Sequence, residues 1–169
     1  ESKKHLDSIK KLYEQSVHIR AGLTTHAKFI VSDGNTALIT SANFTTPSLT
    51  FNTESGFITD SNTLKSLELL FDVIYQKGTQ YKRFISSGKK KQLVIQGSTQ
   101  IEKSWLPNPQ VSCFRYTFGN LTNNLYEGII DVITSAKEYL YISTYSIVDL
   151  DKIPLIKSEL EKALKRGVD

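Results

Sequence analysis

Four side chains capable of phosphoryl chemistry stand close together in the stretch HAKFIVSDGNTALITSANFTTPSLTFNTE, which runs from His26 to Glu54. His26 and Lys28 are two apart on one β-like run, and Ser41 and Asn43 are two apart on the next, with Asp33 and Gly34 at the bend between them. Alternate residues of a strand share a face, so each pair projects to one side. An Asp-Gly/Gly-Asn bend between alternating apolar runs is a strong hairpin signal. With Gly34-Asn35 as a two-residue loop, Lys28 falls opposite Ser41 and His26 opposite Asn43, so all four polar groups converge on one patch. Lysine brings a point charge and rotatable donors, serine and asparagine bring neutral donors, and an imidazole near its titration range can attack phosphorus or exchange a proton. No carboxylate pair or Cys/His set adjoins them in sequence, so nothing in the pattern calls for a metal or another cofactor.

A lone HxK is ordinarily a half-exposed strand edge. Five specified residues at fixed offsets are another matter, since a chance match in a chain this long is on the order of one in ten thousand. His26, Lys28, Asp33, Ser41 and Asn43 resemble the HxK(x4)D(x6)GSxN signature of the phospholipase D superfamily, the HKD phosphodiesterases. Thr40 stands where that family usually has glycine, and Glu54, in TESGFI, stands where it places a glutamate hydrogen-bonded to the nucleophilic histidine. The resemblance implies a metal-independent phosphodiesterase working through a phosphohistidine. His26 would attack phosphorus or serve as the acid, and Lys28 and Asn43 would hold the non-bridging oxygens. Ser41 would support the phosphate, Glu54 would orient His26, and Asp33 would be structural. Family members join two such motifs across a pseudo-twofold axis, and this sequence holds one HxK.

The elements that must position these groups follow the chain. Leu6, Ile9, Leu12 and Tyr13 predict an amphipathic helix over residues 3 to 15, followed by a short strand at 17–20. The motif strands are apolar on both faces, which predicts a place in the middle of a sheet with helices above and below. FTTPSLTFN reads as a polar loop at the pocket mouth, and residues 55–59 as a further strand. Asp60, Ser61 and Asn62 offer caps to a helix with Leu64, Leu67, Leu70, Phe71 and Ile74 in one stripe, stopped at Lys77-Gly78. Strands are expected at 92–96 and 111–118 around a bend in which Trp105 wedges against the core, with Cys113 buried. A helix from about residue 120 to Ala136, a buried strand at 139–147 and a helix from Pro154 to Gly167 complete the pattern.

The expected class is therefore α/β, an αβα sandwich with a mixed β-sheet. Residues 1–78 would be the motif-bearing half of one unit, 79–118 a connecting segment, and 119–169 the first half of a second unit. The helix and short strand opening the chain match those closing it, which predicts a repeat of about 150 residues cut between its halves. The absence of methionine, even at the first position, suggests an internal piece of a longer chain. The second motif would come from chain beyond this sequence or from a homodimer mate.

With 39% hydrophobic and 22% charged residues, the 169-residue chain has the composition of a globular protein. It carries no apolar run near the roughly 20 residues of a membrane span and no signal peptide, so a cytoplasmic address is expected. Its net charge of +4 leans towards a polyanion. Lys82, Arg83, Lys89, Lys90 and Lys91, mixed with Tyr81 and Phe84, resemble a single-strand groove, making nucleic acid the expected partner and a nuclease the expected activity. Phospholipid hydrolysis or headgroup transfer and a non-catalytic binding module are the alternatives.

Overall fold

The structure, a computed structural model, describes residues 3–22, 25–80, 101–110, 112–144 and 146–169. They form two compact units, Glu1–Cys113 and Phe114–Asp169. Among the described residues, helices and small antiparallel sheets give an α/β arrangement, and no helix is long and apolar enough to cross a membrane.

The first unit opens with helix α1, Lys3–Glu14, as the helical spacing of Leu6 and Ile9 predicts. The short strand that follows, β1 (Arg20–Ala21), lies slightly later than expected, because its partner is β5 (Thr79–Gln80), paired with it antiparallel after the next long helix. Strands β2 (Phe29–Ser32), β3 (Thr36–Thr40) and β4 (Gly56–Ile58) make an antiparallel sheet in that order. Helix α3, Ser61–Lys77, packs against β2 and β3. Its start is set by Asp60, whose carboxylate accepts from the Thr63 N–H at 2.7 Å. Arg20 closes its other end, donating to the Tyr75 carbonyl at 2.8 Å with its guanidinium 4.2 Å above the Tyr75 ring. A cation there complements the helix dipole.

Leu64, Leu67, Leu70 and Val73 of α3 are buried with Ala37 of β3. The stripe is rotated from the expected one: Phe71 lies at its margin, edge-on to Phe29 at 6.4 Å, and the hydroxyl side chains of Thr63 and Ser66 are buried instead. In β2, Phe29 and Val31 are half-buried while Ile30 and Ser32 are exposed. The expectation of a fully covered central sheet is corrected accordingly: among the described residues α3 covers one face, and β2 and β4 are edges. Apolar residues on both faces of a strand signal what the strand can bury, and burial needs a second layer.

FTTPSLTFN is not simply a loop. It contains a one-turn helix α2, Thr46–Thr50, whose N-cap Thr45 accepts from the Ser48 N–H, with Pro47 in the first turn. Threonine before an N-terminal proline is a helix start, and the pattern was legible. Further on, Ile101 and Leu106 are buried around a short 3₁₀ turn, Lys103–Trp105. Trp105 keeps 41% of its surface exposed and Cys113 is exposed, so neither is the buried residue that its apolar neighbours suggested. Of the strand expected at 111–118, the described residues 112–118 are irregular, with a bridge between Phe118 and Thr122. The strand expected at 92–96 lies outside the described residues.

The second unit pairs helix α4, Asn124–Ser135, with helix α5, Pro154–Lys165. Ile133, Ala163 and Val168 form its core, with Ala136, Leu140, Ile156 and Leu160 packed around them. Buried Asn124 accepts the Tyr116 N–H at 2.7 Å and donates to Thr122 at 3.1 Å, which satisfies a polar group that could not otherwise be buried. The described residues of the buried strand expected at 139–147 form no strand, and all but Leu140 face solvent, with Tyr141 88% exposed. A strand is buried by its neighbours, and here the described pairing is one parallel exchange at its start. The Asp169 N–H donates to the Glu138 carbonyl at 3.0 Å, and the Leu140 N–H to the Asp169 carbonyl at 2.8 Å.

Candidate functional site

The motif side chains lie beyond the ends of the ladder rather than within it. His26 and Lys28 precede β2, Ser41 and Asn43 follow β3, and Glu54 precedes β4, so three strand ends bring five residues to one end of the same sheet. The bend differs from the expected two-residue loop. Asp33 and Gly34 are both left-handed, with φ of 52° and 60°, and the Asn35 N–H donates to the Ser32 carbonyl at 2.9 Å. These are the φ signs of a type I′ turn. The ladder then resumes with Ser32 opposite Thr36, leaving Asn35 as an extra residue. Pairing is shifted by one place: the Thr40 N–H donates to the Lys28 carbonyl at 3.1 Å, so Lys28 faces Thr40 and not Ser41.

Two couples result. The Lys28 ammonium folds back on His26, with Nζ 3.1 Å from Nδ1, 3.2 Å from Nε2 and 2.7 Å from the His26 carbonyl. Whichever ring nitrogen carries the lone pair can accept from the ammonium. The imidazole is exposed, open to an incoming ligand rather than packed in hydrocarbon. Ser41 turns instead towards β4. Its hydroxyl donates to Glu54 Oε2 at 2.5 Å and accepts the Ser55 N–H at 3.0 Å, while its own N–H donates to the Ser55 carbonyl at 2.9 Å. Among the described residues Glu54 therefore engages Ser41, and Asn52 at 3.5 Å, while the hydrogen-bond partner of His26 is Lys28.

Glu54 is held below its ordinary carboxylate range, chiefly by the Ser41 hydroxyl. Partial burial opposes this, and Ser48, Asn52 and the positive charge of Lys28 reinforce it. Asn43 has an exposed carboxamide that takes no partner among the described residues, while its carbonyl accepts the Thr45 N–H at 2.8 Å. Asp33 sits in the turn, its carboxylate accepting from the Ser32 hydroxyl at 3.3 Å. Lys82, Arg83, Lys89, Lys90 and Lys91 lie outside the described residues. One ammonium, one imidazole, one free carboxamide and a carboxylate braced by a hydroxyl thus stand at the same sheet end. Those donors can hold the anionic oxygens of a phosphoryl group while the imidazole attacks its phosphorus.

One feature of the surroundings was not anticipated. The connection from Asn43 to Glu54 exposes Phe44 (84%), Leu49 (61%) and Phe51 (83%). Apolar residues within a segment otherwise read as a polar lip were the available signal.

Compared with known proteins, residues 1–74 match the family model described as cardiolipin synthase, PLD-like domain. No curated protein and no solved structure matches the chain.

Proposed function

From the match of residues 1–74 to a PLD-like domain model, we propose that the chain belongs to the phospholipase D superfamily and is a metal-independent phosphodiesterase acting through a phosphohistidine. The observation that carries this reading is the placement of His26, Lys28 and Asn43 at one sheet end, with the imidazole exposed and the carboxamide without a partner among the described residues. A His26 ring nitrogen attacks phosphorus and the ester P–O bond breaks, with the leaving alcohol taking a proton from a second acid. Water then attacks phosphorus and gives a proton back to that second group, and the P–N bond breaks, releasing a phosphate monoester and restoring the imidazole. Lys28 and Asn43 stabilise the charge growing on the non-bridging oxygens, usually the largest catalytic term. Glu54, braced by Ser41, supports this end of the sheet electrostatically.

The second acid is the matching histidine of another HKD half, supplied by residues outside this sequence or by a second copy of the chain. This reading implies a layout in which the second half of one unit, carrying the HKD motif, joins the first half of the next. In the second unit, the parallel exchange between 139 and 169 supports the same layout.

For the substrate, the described site favours a phospholipid. Phe44, Leu49 and Phe51 offer acyl chains an apolar lip beside the phosphate patch, and the matched family model bears the name of a cardiolipin synthase. Nucleic acid is the second reading, favoured by the net charge of +4 and by the basic run from Lys82 to Lys91. The test is hydrolysis of a vesicle phospholipid and of a single-stranded oligonucleotide, by a preparation holding both halves, in the presence of EDTA. His26→Ala is expected to lose about 10²-fold or more in rate, together with the trapped phosphohistidine. Full turnover by that variant removes the assignment, and the substrate cleaved decides between the two classes.

A further inference from the structure

The position preceding Ser41 is the one place where the motif departs from its family pattern, and the structure gives the departure a use. Thr40 is the last residue of β3, paired with Gly56. Beyond that pair the ladder stops, and the Ser41–Asn43 segment must be held by other means. Two of the bonds that do so come from the Thr40 hydroxyl. Oγ1 donates to the Ser55 carbonyl at 3.1 Å and accepts the Ala42 N–H at 3.0 Å. A hydroxyl can do both at once, and acceptance from the N–H two residues on is the local bonding by which threonine shapes turns. Glycine has no atom to offer either group.

The geometry points to Thr40 as a positioning residue, whose side-chain hydroxyl fixes the backbone on which the Asn43 carboxamide is presented to the phosphate. Asn43 is held from both sides: the amide before it is tied to Thr40, and its own carbonyl accepts the Thr45 N–H at 2.8 Å. The Ser55 carbonyl receives two donors, the Ser41 N–H and the Thr40 hydroxyl, so the same clasp locks this segment to the residue preceding β4. Since Lys28 is bonded through its carbonyl to the Thr40 N–H, Thr40 also links the two halves of the motif by backbone and side chain together. The statement about phosphate rests on the function proposed above, whereas the clasp itself does not.

The test uses the 169-residue chain with Thr40→Val, which keeps shape and β-branching but removes both hydroxyl bonds, and Thr40→Ser, which keeps the hydroxyl. Amide exchange at Ala42 and the side-chain NH₂ resonances of Asn43 are followed by NMR, with cross-strand contacts between Ile30 and Leu38 reporting that the hairpin is intact. Thr40→Val should speed Ala42 exchange by about five-fold or more, the factor one hydrogen bond carries, and shift the Asn43 carboxamide, while Thr40→Ser leaves both near their original values. Unchanged exchange and an unmoved carboxamide in Thr40→Val would overturn the proposal. So would a Thr40→Ser chain that behaves like the valine variant. A parallel titration of the unaltered chain with inorganic phosphate addresses the function separately. Absence of any response at Asn43 and Lys28 counts against phosphate binding, and the exchange result still decides the role of Thr40.

Discussion

Replacing Gly56 by alanine tests how closely the sheet end that carries the site is packed. Gly56 pairs with Thr40, and its φ is not positive, so conformational freedom does not explain the glycine. Space does. A methyl group there would lie 2.8 Å from the Ile39 carbonyl oxygen, 3.3 Å from Leu38 Cδ1 and 3.3 Å from Thr40 Cβ. One of these is backbone within a paired strand, so β4 must retreat by roughly half an ångström, and overpacking of this kind costs about 1–3 kcal/mol. Alanine returns about 0.4–1 kcal/mol by restricting the unfolded chain, which at the centre of these ranges leaves a net loss of about 1 kcal/mol. The same retreat carries the Thr40 hydroxyl from 3.1 Å towards the limit of bonding distance to the Ser55 carbonyl. The assay is urea unfolding followed by the fluorescence of Trp105, the sole tryptophan, which lies in the same unit. The midpoint should fall by on the order of 1 M with an unchanged slope. A variant as stable as the parent, or more so, would refute the reasoning, because the β3–β4 end would then have room that the structure does not give it.

Other outcomes follow from the same geometry. Leu67 is completely buried between α3 and the sheet, so Leu67→Ala should cost about 3 kcal/mol in the same unfolding assay; a loss below about 1 kcal/mol would mean that this side chain is not core. Glu54 has its folded-state pKa lowered from 4.5, chiefly by the Ser41 hydroxyl, so its contribution to stability is complete above the unfolded value and is lost as pH falls through the lower folded one. Ser41→Ala should move the Glu54 titration, read by carboxyl ¹³C NMR, back up towards 4.5; an unmoved titration would assign the shift to another group.

Local signals read well wherever one residue and its chain neighbours suffice. Asp60 as an N-cap, Gly78 at the helix end, the periodic leucines of α3 and the left-handed Asp33-Gly34 bend are all decided by side-chain reach or backbone sterics over a few residues. Register was not legible, since a two-residue and a three-residue hairpin share the same Asp-Gly-Asn letters. The choice lies in how the ladder resumes after Asn35, and it moved Lys28 from Ser41 to Thr40. Burial was misjudged at Cys113 and along 139–147 for a related reason: an apolar side chain records what it can bury, not what lies against it.

By itself the sequence determined the chemistry available, because the spacing of His26, Lys28, Ser41, Asn43 and Glu54 along two runs and a return strand is a property of the chain alone. Tertiary structure decided how those groups are coupled, setting Lys28 on His26 and Ser41 on Glu54 and giving Thr40 a part that no spacing rule assigns. The physical reason is that hydrogen bonds form between atoms about 3 Å apart in space, and pairing register and strand approach bring residues 14 or 15 positions apart within that distance.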